Sequence, residues 1–439
     1  MRIGYVAMSG LRIVDPELLR LGLSFPSLQR RAREIDALPS LGLLTLAALS
    51  PRGFEAEYIE MSDLPALRGN FDAVALSTLT ATAKEAYAAA ARFRAAGVPV
   101  ILGGLHATLV PEEASQHVDA VVIGEGESVW PEVLRDLQRG ALKPIYDARA
   151  RGAFDLVHAP MPRFDLLARD RYPRFTVQTQ RGCPYACEFC AASMRLAPGF
   201  RVKPVARVIA EVRRLKELFP HPFIEFADDN TFADKRHGRE LMEALAHEDV
   251  RWFTETDVSV ADDEKLLALM RDAGCRQVLI GFESPRAASL EGVELRSNWK
   301  ARKTDRYLRA IEKIQRHGIS VNGCFILGLD ADGPESFENV FRFVEQSGLS
   351  DVQITCLTPF PGTPLWARLR EEGRVLSASA TERCTLFDIN FQPSRMSVQE
   401  LREGMHDLIA RVYAPDSVRR RVRSFRRRLR TAKQEALAV

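Results

Sequence analysis

Cysteine is scarce in this chain, long apolar runs are missing and the net charge is only +3. Seven cysteines among 439 residues, an odd number at uneven spacing, exclude a disulfide framework as the organising feature. The opening MRIGYVAMSG has no apolar run ending in a small-residue cleavage site. Nor does any stretch approach the ~20 apolar residues of a membrane span. A reducing cytoplasm is therefore the expected compartment. The small net charge hides an asymmetry. From Asp416 to Val439 there are eight Arg and one Lys against Asp416 and Glu435, a net of +7, which leaves −4 for the rest. A single arginine run without a recognition fold is no nucleic-acid footprint, so no nucleic-acid partner is expected.

What is present is alternation. The segments RIGYVAM, EAEYIEM, FDAVALST, VPVILGG and DAVVIGEG read as strands separated by helical stretches such as KEAYAAAARFRAAG. Alternation of this kind predicts a doubly wound, Rossmann-like parallel-sheet domain over residues 1–140. Residues 141–172, rich in Pro and without periodicity, read as a linker. A second series then runs FTVQTQ, FIEFADD, WFTETDV, QVLIGFE, VNGCFILGL and DVQITCLT. Six β/α units over residues 173–365 are two short of a full eight-fold barrel, so a partial (β/α)6 barrel is expected. Residues 366–439 read as a helical C-terminal region. The α/β fold class follows from both series.

Three of the seven cysteines fall within QTQRGCPYACEFCAAS, at Cys183, Cys187 and Cys190. Thiolates bind soft metals, and three on one loop can hold three corners of a cubane iron–sulfur cluster. No fourth cysteine is near, which leaves one iron open. The alternative is structural zinc completed by a distant His221 or Cys275.

The C-x3-C-x2-C spacing, with Phe189 just before the last cysteine, resembles the signature of the radical S-adenosylmethionine enzymes. The resemblance implies a [4Fe–4S] cluster on the three cysteines, with S-adenosylmethionine chelated at the open iron and cleaved to a 5′-deoxyadenosyl radical. It extends along the barrel. Asp228, Asp229 and Asn230 of FADDN stand where the family places polar contacts to the methionine amine, replacing a commoner Gly-Gly-Glu. Glu255 and Asp257 lie along the third strand. Glu283 of GFES resembles a residue near the ribose or methionine part. Gly328 of GCFILGLD belongs to the strand that packs beside the adenine, and TPFPGTPL matches a recurrent closing loop. Each has a plainer reading, since acidic strand ends often cap the following helix and PFPGTP is a turn by composition.

The first domain resembles the cobalamin-binding domain fused to many of these enzymes. By that resemblance Ser77, Thr78, Thr80, Gly103, Gly104 and His106 line the cobalamin, and Gly124, Glu125 and Gly126 form a further loop of its pocket. The motif D-x-H-x-x-G is absent, because none of the eight histidines has Asp two residues before it. A histidine cobalt ligand through that motif is therefore not indicated, and His106 is expected in the pocket wall. The implied activity is cobalamin-dependent methylation at an unactivated carbon of a small-molecule or lipid-like substrate. Radical cyclisation, ring contraction or rearrangement, and a non-catalytic iron–sulfur or cobalamin sensor, are the alternatives. An external electron donor, flavodoxin or ferredoxin, is implied as partner.

Cys275, Cys324, Cys356 and Cys384 are expected to be buried thiols without a joint role. In the tail, Val418, Val422, Phe425 and Leu429 recur at helical spacing. This stripe predicts either a helix docked on the barrel or a basic helix peripheral to the inner face of a membrane.

Overall fold

The computed structural model describes residues 1–8, 10, 12–25, 29, 37–66, 70–192, 199–377 and 381–437. Ser193, the last residue of the cysteine stretch, and residues 438–439 lie outside them. The first sheet joins β1 (Arg2–Ala7), β2 (Glu55–Glu60), β3 (Ala73–Ser77), β4 (Val100–Gly103), β5 (Ala120–Ile123) and β6 (Ile145–Asp147). All pairings are parallel, in the order β2-β1-β3-β4-β5-β6. Its strands read as continuous apolar runs because helices cover both faces. Ile3, Tyr5 and Ala7 pack into one layer with Leu43, Val133 and Leu134, while Val6 and Met8 pack into the other with Ala86 and Ala90. The strand order reverses between β1 and β3, and ligands of such sheets sit beyond the strand ends at that point. Strand β6 differs from expectation, since it draws residues 145–147 of the predicted linker into the sheet. Tyr146 explains this. It is buried under the helix Trp130–Gln138, and its hydroxyl donates to Asp136 at 2.9 Å.

The second sheet is also parallel, with neighbours in chain order. Its members are β7 (Phe175–Val177), β10 (Phe223–Phe226), β11 (Arg251–Thr256), β12 (Cys275–Glu283), β13 (Ser320–Leu327) and β14 (Asp351–Cys356). These are the six strands of the expected partial barrel. Between β7 and β10 lies a separate antiparallel pair, β8 (Gln180–Arg181) and β9 (Arg201–Val202). Its core includes an aromatic group in which Phe282, fully buried, packs on Tyr307, Phe325 and Phe343 with ring centroids 4.7, 5.9 and 6.1 Å away.

Two helices close the chain, Val398–Tyr413 and Pro415–Leu437. The first starts at a capping box, Ser397 with Glu400. The last lies against the helix Tyr307–Arg316, with Leu429 directly over Gly318. Arg421 is buried and donates to the Val412 carbonyl at 2.8 Å, and Arg428 reaches the Ser347 carbonyl at 2.8 Å. Docking on the barrel is therefore what the structure selects for the stripe, while Arg423, Arg426, Arg427 and Arg430 stay at the surface. Among the described residues no helix is long and apolar enough to cross a membrane. Upstream, Asp388 accepts from the Val14 and Asp15 amides (2.8 and 2.7 Å) and Lys84 pairs with Glu382 at 2.7 Å, which ties the C-terminal region to the first domain.

Replacing Phe282 by Ala leaves a cavity at the centre of the aromatic group and should cost about 3–5 kcal/mol. Thermal unfolding followed by near-ultraviolet circular dichroism measures the loss.

Candidate active site

The cysteine loop leaves β8 through Gly182, whose φ of 78° suits glycine, and returns through β9. A buried carboxylate sets the position of this hairpin. Asp228, at the end of β10, accepts from the Thr179 amide (2.8 Å), the Gln180 amide (3.1 Å), the Thr179 hydroxyl (2.5 Å) and the Thr231 hydroxyl (2.7 Å). Those two amides are taken from the sheet, so the single strand expected as FTVQTQ stops at Val177 and restarts as β8. Burial pushes the Asp228 pKa up against these bonds.

Little of the loop's hold comes from its sulfurs. Residues 293–300 fold back over it. Cys187 bridges Glu294 in antiparallel fashion, Glu188 donates to the Val293 carbonyl at 2.9 Å, and Leu295 donates to the Ala186 carbonyl at 3.0 Å. The Glu294 carboxylate accepts the Ala186 amide (3.2 Å) and both the amide and hydroxyl of Ser297 (2.8 and 2.7 Å). Burial alone would raise its pKa, but these donors bring it down to about 2. Tyr185 stacks on Trp299 at 4.3 Å. From TPFPGTPL, the Leu365 amide donates to the Glu188 carbonyl at 3.0 Å, and Arg368 pairs with the Glu188 carboxylate at 2.7 Å.

None of the three thiols is in a disulfide. Burial pushes Cys183 up to about 11 and Cys187 up to about 12, and each feels the charge of its neighbours on the loop. Such thiols stay protonated at neutral pH until a metal displaces the proton. The three thiols share one loop held by other groups, and among the described residues no three His, Cys, Asp or Glu side chains are already drawn together as a metal-binding group. The zinc alternative fits less well, because Cys275 begins β12 and His221 precedes β10, at the strand ends opposite the loop. Lys300, buried in an ion pair with Glu283, adds a positive charge that opposes the rise at Cys187. Gly281 makes room for this pair, since a Cβ there would lie 2.5 Å from Glu283 Oε1.

A cavity of about 600 Å³ lies between the two domains. Ser77, Thr78, Gly103, Gly104, Gly124, Glu125 and Gly126 line it from the first sheet, and Gln178, Gln180, Arg181, Lys203 and Asp229 from the barrel. Gly104 is required sterically. Its φ is 95°, and a Cβ would sit 2.8 Å from the Thr78 carbonyl oxygen. Seven of the nine residues expected around cobalamin therefore share one wall.

The other two do not. Thr80 is fully buried, and so is His106, whose Nε2 meets the Tyr87 hydroxyl at 2.8 Å behind the wall. Burial lowers the His106 pKa, and its expected place in the pocket wall is corrected to a core position under the sheet edge. The acidic triplet also divides. Asp228 is consumed by the hairpin, and Asn230 is buried, donating to Asp257 at 2.8 Å. Only Asp229 lines the cavity, where its charge raises the Cys183 pKa. Phe189 packs half-buried on the barrel core, and Glu255 is exposed on β11 away from the cavity lining. Gly328, with φ of 85°, is approached by Phe391 and Leu401 of the C-terminal region, at 2.8 and 3.0 Å from a Cβ position. Sequence reasoning missed Gln178, Gln180, Arg181 and Lys203 in the lining. The first three adjoin the cysteines, so their place beside the motif was the available signal. Glu294, Trp299 and Lys300 carried none.

Replacing Glu294 by Ala strands the Ala186 and Ser297 donors at a cost of about 2 kcal/mol and loosens the loop. Reconstituted protein should hold less iron per chain than the parent. Because the folded-state pKa lies below that of an unfolded Glu, the carboxylate's contribution is complete above pH 4.5 and fades as pH falls toward 2. Iron content and thermal unfolding of parent and variant at pH 7 and pH 3 measure both effects, and the difference in stability should shrink at pH 3.

Comparison with known proteins agrees with this arrangement. Residues 177–344 match the Radical SAM superfamily, residues 36–134 the B12 binding domain, and residues 363–438 a domain of unknown function (DUF4070). Bacteriochlorophyllide d C-12(1)-methyltransferase of Chlorobaculum tepidum is 28% identical over 390 residues, 87% of this chain and 84% of that protein. An uncharacterized methyltransferase of Synechocystis sp. is 30% identical over 368 residues, covering 82% of this chain and 68% of its own. Among solved structures, the radical S-adenosylmethionine methyltransferase TsrM of Kitasatospora setae, with cobalamin and a [4Fe–4S] cluster bound, superposes with a TM-score of 0.68 at 15% identity, over 99% of both chains. With both domains matched, and a relative 30% identical along most of its length, the chain belongs to the radical S-adenosylmethionine enzymes that carry a cobalamin-binding domain.

Proposed function

We propose that this enzyme methylates an unactivated carbon of a small-molecule or lipid-like substrate. The observation that carries the reading is the shared cavity, with a glycine-edged sheet on one side and the stem of the cysteine loop on the other. Cys183, Cys187 and Cys190 would hold the [4Fe–4S] cluster. Ser77, Thr78, Gly103, Gly104 and Gly124 would face cobalamin, the glycines allowing backbone to approach the ring closely. Once bound, the cluster and S-adenosylmethionine supply a radical able to take hydrogen from carbon, and cobalamin carries the methyl group.

The chain's own groups hold and orient these partners. Asp229 would accept from the amine of S-adenosylmethionine, and Lys300 would compensate negative charge beside Cys187. The residue 293–300 segment covers the loop on one side, and the first sheet faces the stem of the loop across the cavity. A small-molecule substrate is supported by the relative that acts on bacteriochlorophyllide. Reducing equivalents would come from flavodoxin or ferredoxin. The exposed Arg423, Arg426, Arg427 and Arg430 favour a peripheral, electrostatic contact with an anionic membrane, since the apolar stripe of their helix is already used.

Anaerobically purified protein, reconstituted with iron and sulfide and reduced with dithionite, should convert S-adenosylmethionine to 5′-deoxyadenosine, detected by mass spectrometry. It should also release one cobalamin per chain on denaturation. Replacing Cys183, Cys187 and Cys190 by Ala should lower 5′-deoxyadenosine formation by more than about 100-fold while cobalamin is retained. An intact cluster that yields no 5′-deoxyadenosine overturns the radical chemistry. 5′-Deoxyadenosine formation without cobalamin favours rearrangement over methyl transfer.

A further inference from the structure

The loop GEGE, read from sequence as a pocket loop, makes a second contact. Arg181 Nη1 donates to Glu125 Oε1 at 2.7 Å and Nη2 to Glu127 Oε1 at 2.8 Å. Its Nε and Nη2 also hold Gln178 Oε1 at 3.1 and 2.9 Å. On the paired strand, Arg201 Nη2 reaches the same Glu125 oxygen at 2.7 Å. The other Glu125 oxygen accepts the Phe154 amide at 3.0 Å. The side chains of Arg181 and Glu125 are 17% and 8% exposed. Two guanidinium groups thus meet two carboxylates in a nearly dry junction, where net charge is balanced and removal of one partner leaves another stranded.

Position gives this network a consequence. Arg181 stands two residues before Cys183, at the base of the cysteine loop. Glu125 and Glu127 stand in the glycine loop after β5, which lines the first-domain wall of the cavity. A guanidinium that bridges two carboxylates has a fixed planar fork, so it transmits orientation as well as attraction. Movement of the glycine loop must therefore move the stem of the cysteine loop. The domains have other ties, such as the Tyr172 hydroxyl on Glu60 at 2.8 Å and the Arg171–Asp63 pair, but these lie away from the cavity lining.

We propose that Arg181 is a positioning residue that registers the cobalamin-binding domain on the cluster loop, so that filling either site tightens the other. This rests on the function proposed above. By thermodynamic reciprocity the effect is visible in binding without any substrate being known.

The test is the affinity of the full-length chain for hydroxocobalamin, by anaerobic absorbance titration, with the cluster reconstituted and with iron chelated away. The parent should bind cobalamin about 10-fold more tightly with the cluster in place. Arg181→Gln should bind both cofactors yet show equal affinities in the two states. Arg181→Lys should restore part of the difference, because an ammonium keeps the charge but lacks the planar fork that fixes the two carboxylates in one orientation. Should Arg181→Gln fail to fold, Glu127→Gln removes the charge from a single arm and should reduce the difference about 3-fold. Equal affinities in the parent, or a full difference retained in Arg181→Gln or in Glu127→Gln, overturn the inference alone. A parent chain that binds no cobalamin overturns the proposed function with it.

Discussion

Asp228 is a carboxylate taken out of water and surrounded by four donors, two of them backbone amides that would otherwise extend β7. An unsatisfied buried carboxylate would be costly, so the chain bends to meet it. The rest of the site depends on that bend. It ends β7 at Val177 and turns the next residues into the short hairpin from which the cysteine loop springs. With Asp228 and Asn230 consumed in this junction, Asp229 is the member of the triplet that lines the cavity.

The same economy governs the loop. A loop proposed to offer three thiols to a cluster cannot depend on those thiols for its own shape. Its conformation is held instead by the Glu294 carboxylate, the Tyr185–Trp299 stack and the Glu188–Arg368 pair. These contacts come from segments that follow β12 and β14, so the loop takes its shape from the closed barrel. Charge is handled similarly. Lys300 with Glu283 beside the cysteine loop, and Lys203 with Glu211 and Arg181 with Glu125 and Glu127 at the cavity, are buried or nearly buried pairs. Each keeps an ionic group in a dry region by supplying its counter-charge.

The tail shows how the choice between two surfaces is made. An apolar stripe flanked by arginines is compatible with a membrane and with a protein face. Leu429 over Gly318, and the Arg421 and Arg428 side chains on the Val412 and Ser347 carbonyls, settle it on the barrel. Burial of those two arginines lowers their pKa, and the helix accepts that for the carbonyl ends it caps.

Much of this protein was legible in its residues. The two β/α series, their eleven expected strands, and the three-thiol loop are written in short-range periodicity and spacing, which the local backbone obeys. Seven of nine pocket residues were legible for the same reason, because they follow strand ends. Side-chain pairing was not legible. Asp228 meets Thr179 across 49 positions, Glu125 meets Arg181 across 56, and Glu294 meets Ala186 across 108. His106 looked like a wall residue and became core for want of any local sign of which way the turn after Gly104 would face. By itself the sequence determined which elements form, in what order, and which thiols stand together. Only the tertiary structure decided which charges neutralise one another and which remain for a ligand, because that depends on distances between segments that no local pattern encodes.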